Sequence, residues 1–467
     1  MTKYQTIAGQ IGEAIRSGIL EPGTRIPSVR AVAGQHSVST TTALEALRSL
    51  EGEGLIEARP RSGYFVLNRA GSVAAAPRFQ FDSELEEDAR VHLSIVGSPC
   101  RVRFDLATGD PGLYPLDRFG RLVRRASYRS PLLLGALARG TGHAAFKQQI
   151  VRSALDHGCR ISPEEIIVTN GCIEALNLSL RAVTSHGDRV AVESPCYFVL
   201  LQMLRALGLV AVPIPCDPLR GMDLAVLAEV LQTTRIAAVV SVANGNNPVG
   251  SVADDEDKAA LVAMLADRKI PLIEDDMFGD VCFAPSRPPA LRSFDRQGGV
   301  LWCGGLSKTL MPSLRLGWVA AGRFTAQVQA LKYTSTMATS ELFQVAAAEL
   351  MENGGYTRHL KRLRQRLARQ HAELRQAVVR HFPLGTEVSH AEGGYVAWVR
   401  LPEAEGHPVS TRQLFTRARE AGIGFVPGYL FGGREFDDCL RLNAGYPWSR
   451  EQEEAIAHLG QLVKQRQ

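Results

Sequence analysis

From Phe104 onward the chain alternates short β-branched apolar runs with segments of helical periodicity, and this alternation restricts its fold more than any other feature. Residues 166–169, 189–192, 237–241, 270–273 and 300–302 read as strands, apolar at consecutive positions rather than at every second one. Such strands are buried on both faces, and the helical segments between them supply the cover. A mostly parallel sheet with helices on both sides follows, an α/β architecture. From about Ala326 the order changes to long helices followed by short strands such as 395–399, the pattern of a smaller α+β lobe.

The first 68 residues follow different rules. Ile7, Ile11 and Ile15 make one apolar stripe at helical spacing, which ends near Gly18. Glu21-Pro22-Gly23 is a turn, Ser28 can cap a short helix, and Ser39 can cap a third helix that turns Ala43, Leu47 and Leu50 inward. Residues 55–58 and 64–67 then read as two strands joined by Arg59-Pro60-Arg61-Ser62-Gly63. Three helices and a two-stranded wing form a shape whose third helix enters a DNA major groove while the wing meets the backbone. Ser39, Thr40, Thr41 and Thr42 at the start of that helix are expected to reach phosphates or base edges. Arg25, Ser28, Arg30, Arg59, Arg61, Ser62 and Gly63 complete the expected DNA-contacting set.

Between these blocks, residues 69–102 lose all periodicity apart from a small-residue stretch and an acidic one, and are expected to be a linker with one short helix at most. The body then spans 103–467, with a large lobe of about 103–325 and a small lobe of about 326–467. A net charge of +5 over 467 residues permits nucleic-acid binding without demanding it. The eight cysteines form neither a C-x-x-C pair nor a zinc-like cluster with histidine, so no metal site is expected. No apolar run is long enough to span a bilayer and no secretory leader is recognisable, so the chain is expected in a reducing cytoplasm without membrane attachment.

Within the body, several short motifs fall at the ends of the expected strands, where ligands of open α/β sheets bind. Ser307-Lys308-Thr309 is followed, seven positions beyond the lysine, by Arg315-Leu316-Gly317. An amine so placed can condense with an aldehyde while Ser307 and Arg315 hold a phosphate. Glu274-Asp275-Asp276 offers a carboxylate for a pyridine nitrogen, and Asn170-Gly171-Cys172 offers backbone amides at a helix start. Tyr197 supplies a ring to stack on, Asn247 an amide for a ring oxygen, and Arg441 a guanidinium for a carboxylate. Each element alone has a structural reading: a turn, a solvated loop, a core aromatic, a salt-bridge partner. Their joint order matches what is needed to hold pyridoxal 5′-phosphate.

The segments SGILEPGTRIPSVRAVA and SVSTTTALEALRSLEGEGLIEARPRSGYFV resemble the winged helix-turn-helix of the GntR regulators, and the body motifs resemble the fold-type I aminotransferases. A head and body fused in this order is similar to the MocR subfamily, and the likeness covers the whole chain. The resemblance implies that Lys308 is the Schiff-base lysine, that Asp275 pairs with the pyridine nitrogen, that Asn247 reaches the ring oxygen and that Tyr197 stacks on the ring. It further implies that Gly171, Cys172, Ser307 and Arg315 hold the phosphate, that Arg441 takes an effector's carboxylate, and that the protein is a homodimer on paired DNA half-sites.

Two positions depart from the family pattern. Phe278, three after Asp275, stands where a tyrosine usually bonds the ring oxygen, and Gly305 stands where a phosphate-binding serine is common. Both predict weak transamination with cofactor binding retained. The function implied is a transcription regulator whose effector, an amino compound or pyridoxal phosphate itself, acts at Lys308. The alternative is an active aminotransferase with an accessory DNA-binding domain.

Overall fold

In the head, short helices are held by side-chain caps as well as by packing. The computed structural model describes residues 2–60, 62–67, 87–97, 100–138, 140–403 and 409–465, and divides into two units, residues 1–84 and 85–467. The first contains α1 (Lys3–Arg16), α2 (Val29–Gln35), α3 (Thr40–Gly52) and the hairpin β1 (Ile56–Arg59) and β2 (Gly63–Val66). Ser28 Oγ accepts from the Ala31 amide at 3.3 Å and Ser39 Oγ from that of Thr42 at 3.2 Å, so each serine satisfies an otherwise unpaired donor at a helix start. Ile7, Val32, Leu47, Leu50, Ile56 and Val66 close over one core.

The wing is wider than the sequence suggested. The Ile26 amide donates to Tyr64 O at 2.8 Å and the Val66 amide to Thr24 O at 2.9 Å, which adds residues 24–26 to the edge of β2. Three residues with one apolar side chain carry too little periodicity to be read as a strand. Leu47 is fully buried at the centre of this core. Leu47→Ala is expected to cost the head about 2–5 kcal/mol. Thermal melting should show the loss, and DNA binding should disappear with it.

The second unit begins with α4 (Glu87–Gly97) and β3 (Val102–Arg103), then builds an eight-stranded sheet. Its strands are β4 (Ile166–Thr169), β5 (Arg189–Ser194), β6 (Val210–Asp217), β7 (Gly221–Met222), β8 (Ala238–Ser241), β9 (Leu272–Asp275), β10 (Val300–Gly305) and β11 (Gly317–Ala320). The order is β4-β11-β10-β9-β8-β5-β6-β7. From β10 to β6 all neighbours are parallel; β11 runs against β10 and β4, which leaves β4 parallel to the rest. The carboxyl ends of β4, β5, β8, β9 and β10 therefore lie along one edge, and each leads into a loop bearing a motif residue. A second sheet, ordered β12-β13-β16-β15, joins β12 (Glu387–Val388), β13 (Val396–Arg400), β15 (Val426–Pro427) and β16 (Cys439–Asn443). β14 (Ile423–Gly424) pairs with β3 instead.

This packing corrects the expected divisions. Ile95, Val102 and Phe104 are buried in the small-lobe core with Val399, Leu440 and Val463, so the expected linker of 69–102 includes part of the body. The helix Thr325–Thr336 packs on the helix Cys172–Val183, and Ala346 and Leu350 join the large-lobe core. The large lobe thus continues past 325, and the change of lobe falls inside the helix Gly355–His381, whose Leu360 lies in one core and Leu374 in the other. Apolar side chains on successive turns do not reveal which neighbour they cover. Among the described residues no helix is long and apolar enough to cross a membrane.

Candidate functional site

The strand-end loops enclose a cavity of about 180 Å³. Cys172, Tyr197, Asn247, Asp275, Phe278, Ser307, Lys308 and Arg315 all line it, although they are spread over 144 positions of sequence. Strand alternation explains how one acid of three was selected. Glu274 and Asp276 point away from Asp275: Glu274 accepts from the Leu291 and Arg292 amides at 2.7 and 3.0 Å, and Asp276 binds Arg287 and, at 2.7 Å, Trp302 Nε1. Asp275 faces the cavity and accepts from the Met277 amide at 3.3 Å and Cys172 Sγ at 3.6 Å. Burial raises its pKa to about 6.

The opposite end of the cavity suits an anion. Gly171, at φ +86°, caps the helix Cys172–Val183, whose first amides face outward. Arg315 adopts the left-handed conformation at φ +50°, uncommon for a side-chain-bearing residue, and its guanidinium reaches Asn170 O at 3.2 Å and Ser307 Oγ at 3.5 Å. A Cβ on Gly171 would lie 2.6 Å from Arg315 Nη2, and one on Gly317 only 2.5 Å from the Gly171 carbonyl carbon. Backbone and guanidinium therefore make a cradle that tolerates no added atom. At Gly305 a Cβ would sit 3.0 Å from Leu316 O, and this residue does not line the cavity.

Two residues that hold this cradle were not anticipated. Glu174 accepts from the Asn170 amide at 2.5 Å, from Thr336 Oγ1 at 2.6 Å and from Lys332 Nζ at 2.8 Å. Glu174 at the third helical position is a capping signal readable in sequence; its partner, 158 positions away, is not.

Lys308 Nζ donates to Ala107 O at 2.8 Å and lies 5.9 Å from the centre of the Phe278 ring. Burial and then the charge of Arg441 lower its pKa to about 8, against a smaller upward pull from Asp275. Arg441 is buried. It donates to Asn247 Oδ1 at 3.3 Å and to the carbonyls of Asp105 and Leu106 at 3.1 and 3.3 Å, while its Nε has no hydrogen-bond partner. Burial lowers its pKa to about 10. Tyr197 is half-buried, and burial raises its phenol to about 12, so it stays neutral. The donor set fits pyridoxal 5′-phosphate: an amine, a carboxylate, an aromatic face and an amide, with a guanidinium, a serine hydroxyl and a helix start at the anion end.

In the head, Arg25, Ser28, Arg30, Ser39, Thr40, Thr41, Arg59, Ser62 and Gly63 are exposed. Arg61 lies outside the described residues. The expectation for the hydroxyl run narrows, because Thr42 Oγ1 and Ser39 Oγ bond each other at 3.0 Å. Thr40 and Thr41 are the two fully exposed hydroxyls inside the helix, and Arg48, not anticipated, is exposed two turns beyond Thr41. Arg59 is paired with Glu57 at 2.6 Å and lies 4.6 Å over the Phe65 ring, which fixes it against the wing.

Comparison with known proteins agrees with both halves. The GntR family of bacterial regulatory proteins matches residues 3–66, and the class I and II aminotransferases match 135–459. The HTH-type transcriptional regulator YdcR of Escherichia coli, itself uncharacterized, is 36% identical over the whole of both chains. Kynurenine aminotransferase of Pyrococcus horikoshii superposes with a TM-score of 0.76 at 23% identity, over 84% of this chain and 98% of that one. LysN, the α-aminoadipate aminotransferase of Thermus thermophilus, was solved with N-(5′-phosphopyridoxyl)-L-leucine; it gives 0.71 at 26%, over 78% and 92%. The chain belongs to the MocR-type HTH transcriptional regulators, in which a GntR head precedes a class I and II aminotransferase body.

An amine with a pKa of about 8 is half deprotonated at that pH, where an ordinary lysine is almost wholly charged. In cofactor-stripped protein, the rate of imine formation with added pyridoxal phosphate should rise with pH and level off above about 8, followed by visible absorbance. Gly317→Ala should weaken cofactor retention at least about tenfold, since its Cβ meets backbone atoms that cannot yield (equilibrium dialysis).

Proposed function

We propose that the body holds pyridoxal 5′-phosphate on Lys308 and senses an amino compound there, and that this event alters DNA binding by the head. The carrying observation is Phe278. Tyr197, Asn247, Asp275, Ser307, Lys308 and Arg315 line the cavity, yet Phe278, whose ring centre is 5.9 Å from the Lys308 amine, offers no hydrogen bond. Phe278 removes the hydrogen bond that would tune proton transfer at the ring oxygen, and leaves the cofactor-holding groups untouched.

When bound, the cofactor supplies an aldehyde that amines capture reversibly. Ser307, Arg315 and the amides after Gly171 would hold its phosphate, and Asp275 would pair with its pyridine nitrogen. Tyr197 would stack on the ring and Asn247 would bond the ring oxygen. Arg441, with one buried donor unpaired, takes an effector's carboxylate. Thr40 and Thr41 read the major groove, while Arg25, Arg30 and Arg61 meet phosphates. The protein acts in the cytoplasm as a homodimer; Leu132 and Leu134, at 78% and 67% exposure, form apolar surface suited to a second copy. A second reading, an active aminotransferase, draws on the same complete set of cofactor-holding groups.

A ligand can act on DNA affinity only through differential binding to two conformations, typically a coupling of about 1–3 kcal/mol, or about 5–150-fold. Screening amino compounds for shifts of the visible band together with operator affinity should identify effectors that produce such a change without turnover. Lys308→Ala should lose the response and keep DNA affinity within about twofold. Rapid consumption of an amino acid and a 2-oxo acid would favour the enzyme instead.

A further inference from the structure

The positive charge of this chain is not concentrated in its DNA-binding head. Residues 2–67 hold seven Arg or Lys against six Glu, close to neutrality. Affinity for duplex DNA is dominated by phosphate neutralisation, and beyond Arg25, Arg30 and Arg61 the head has little charge to add to that term. In the body, by contrast, cations gather on two helices. Leu116–Arg129 carries five arginines and one acid, Asp117; Gly355–His381 carries eight Arg or Lys and one acid, Glu373. The helix Glu341–Glu352, packed against the first, adds three glutamates and no cation. These segments hold thirteen of the chain's 53 cations and five of its 48 carboxylates, and the remainder of the chain is net negative.

Helical periodicity turns these cations outward. Phe119, Leu122 and Ala126 are buried on the first helix, which leaves Arg121, Arg124, Arg125 and Arg129 exposed. On the second, Leu360, Leu363 and Leu367 are buried, while Arg358, Lys361, Arg362, Arg366 and Arg369 are exposed over about 16 Å of axis. The two faces meet at Asn353, whose Oδ1 accepts from Arg118 Nη2 at 2.9 Å and whose backbone O accepts from Arg358 Nη2 at 3.2 Å. Arg366 Nη1 reaches back to Gly112 O, just before the first helix, at 3.5 Å. Some charges are satisfied: Arg125 pairs with Glu349, and Arg369 with Glu373 at 3.0 Å. The side chains of Arg121, Arg124, Lys361 and Arg362 make no hydrogen bond or ion pair among the described residues.

Crowded, unpaired like charges repel one another and raise the local concentration of polyanions. We propose that this basic face of the body binds the phosphate backbone of duplex DNA, adding sequence-independent affinity to the readout by the head. The partner follows from the head, which commits the chain to DNA, and from the guanidinium fork, which matches phosphate oxygens. The proposal rests on that DNA-binding reading and places a second DNA-facing surface on a different domain.

The test uses the full chain with R121Q, R124Q, K361Q and R362Q combined, and a duplex of about 40 base pairs of arbitrary sequence titrated across salt concentrations. The slope of log affinity against log salt should fall by about 0.9 for each phosphate no longer neutralised, with affinity at low salt at least about tenfold weaker and the melting temperature unchanged. T40A/T41A should lose sequence discrimination and keep the slope. An unchanged slope in the quadruple variant overturns the proposal while leaving the head's role intact. Loss of binding to anionic vesicles with an unchanged DNA slope overturns it in favour of a membrane partner. A wild-type chain that binds no duplex at all overturns both readings.

Discussion

The body depends on the charge balance of one cavity. Lys308 and Arg315 line it, within the field of the buried Arg441, against a single lining carboxylate, Asp275. Holding cations away from water costs several kcal/mol unless partners are supplied, and the fold supplies only part of that compensation. Arg441 is held by three oxygens and retains an unpaired donor; Lys308 responds by giving up its proton more readily. A ligand bearing a phosphate and an aldehyde completes the balance at both ends, with negative charge at the Arg315 cradle and a carbon for the neutral amine. The same electrostatic shortage thus selects the ligand and activates the lysine.

Much of this was legible in the sequence because it depends on local rules. Ser28 and Ser39 cap their helices, and the strand at 166–169 lies where continuous β-branched residues put it. The cavity-lining residues follow strand ends, so topology brings them together once the sheet is recognised. Elements that depend on partners far along the chain were not legible. Residues 24–26 bridge to the wing only because β2 has a free edge, and β6, mostly exposed or half-buried near the sheet's end, lacks the continuous buried apolar signal of its neighbours. The membership of α4 and the lobe change within the helix Gly355–His381 are set by packing partners that periodicity cannot name. Lys332, which holds the phosphate loop through Glu174, sits on a helix whose pattern reads as plain surface.

The departure at Phe278 acquires meaning only in three dimensions. Its ring packs beside Lys308 and at 6.2 Å from Tyr395, whose hydroxyl is committed to the Lys308 carbonyl. Tyr395 therefore does not replace the missing phenol at the ring oxygen. Nearby, Arg287 binds both Asp276 and Asp280, so the turn carrying Phe278 is fastened on either side. The turn thus holds an aromatic face, and no hydroxyl, beside the Lys308 amine.

The most direct measurement is borohydride reduction of the purified chain followed by peptide mass mapping. The account predicts one pyridoxyl adduct, on the peptide that contains Lys308. An adduct confined to other lysines, or none in protein saturated with pyridoxal phosphate, would contradict it.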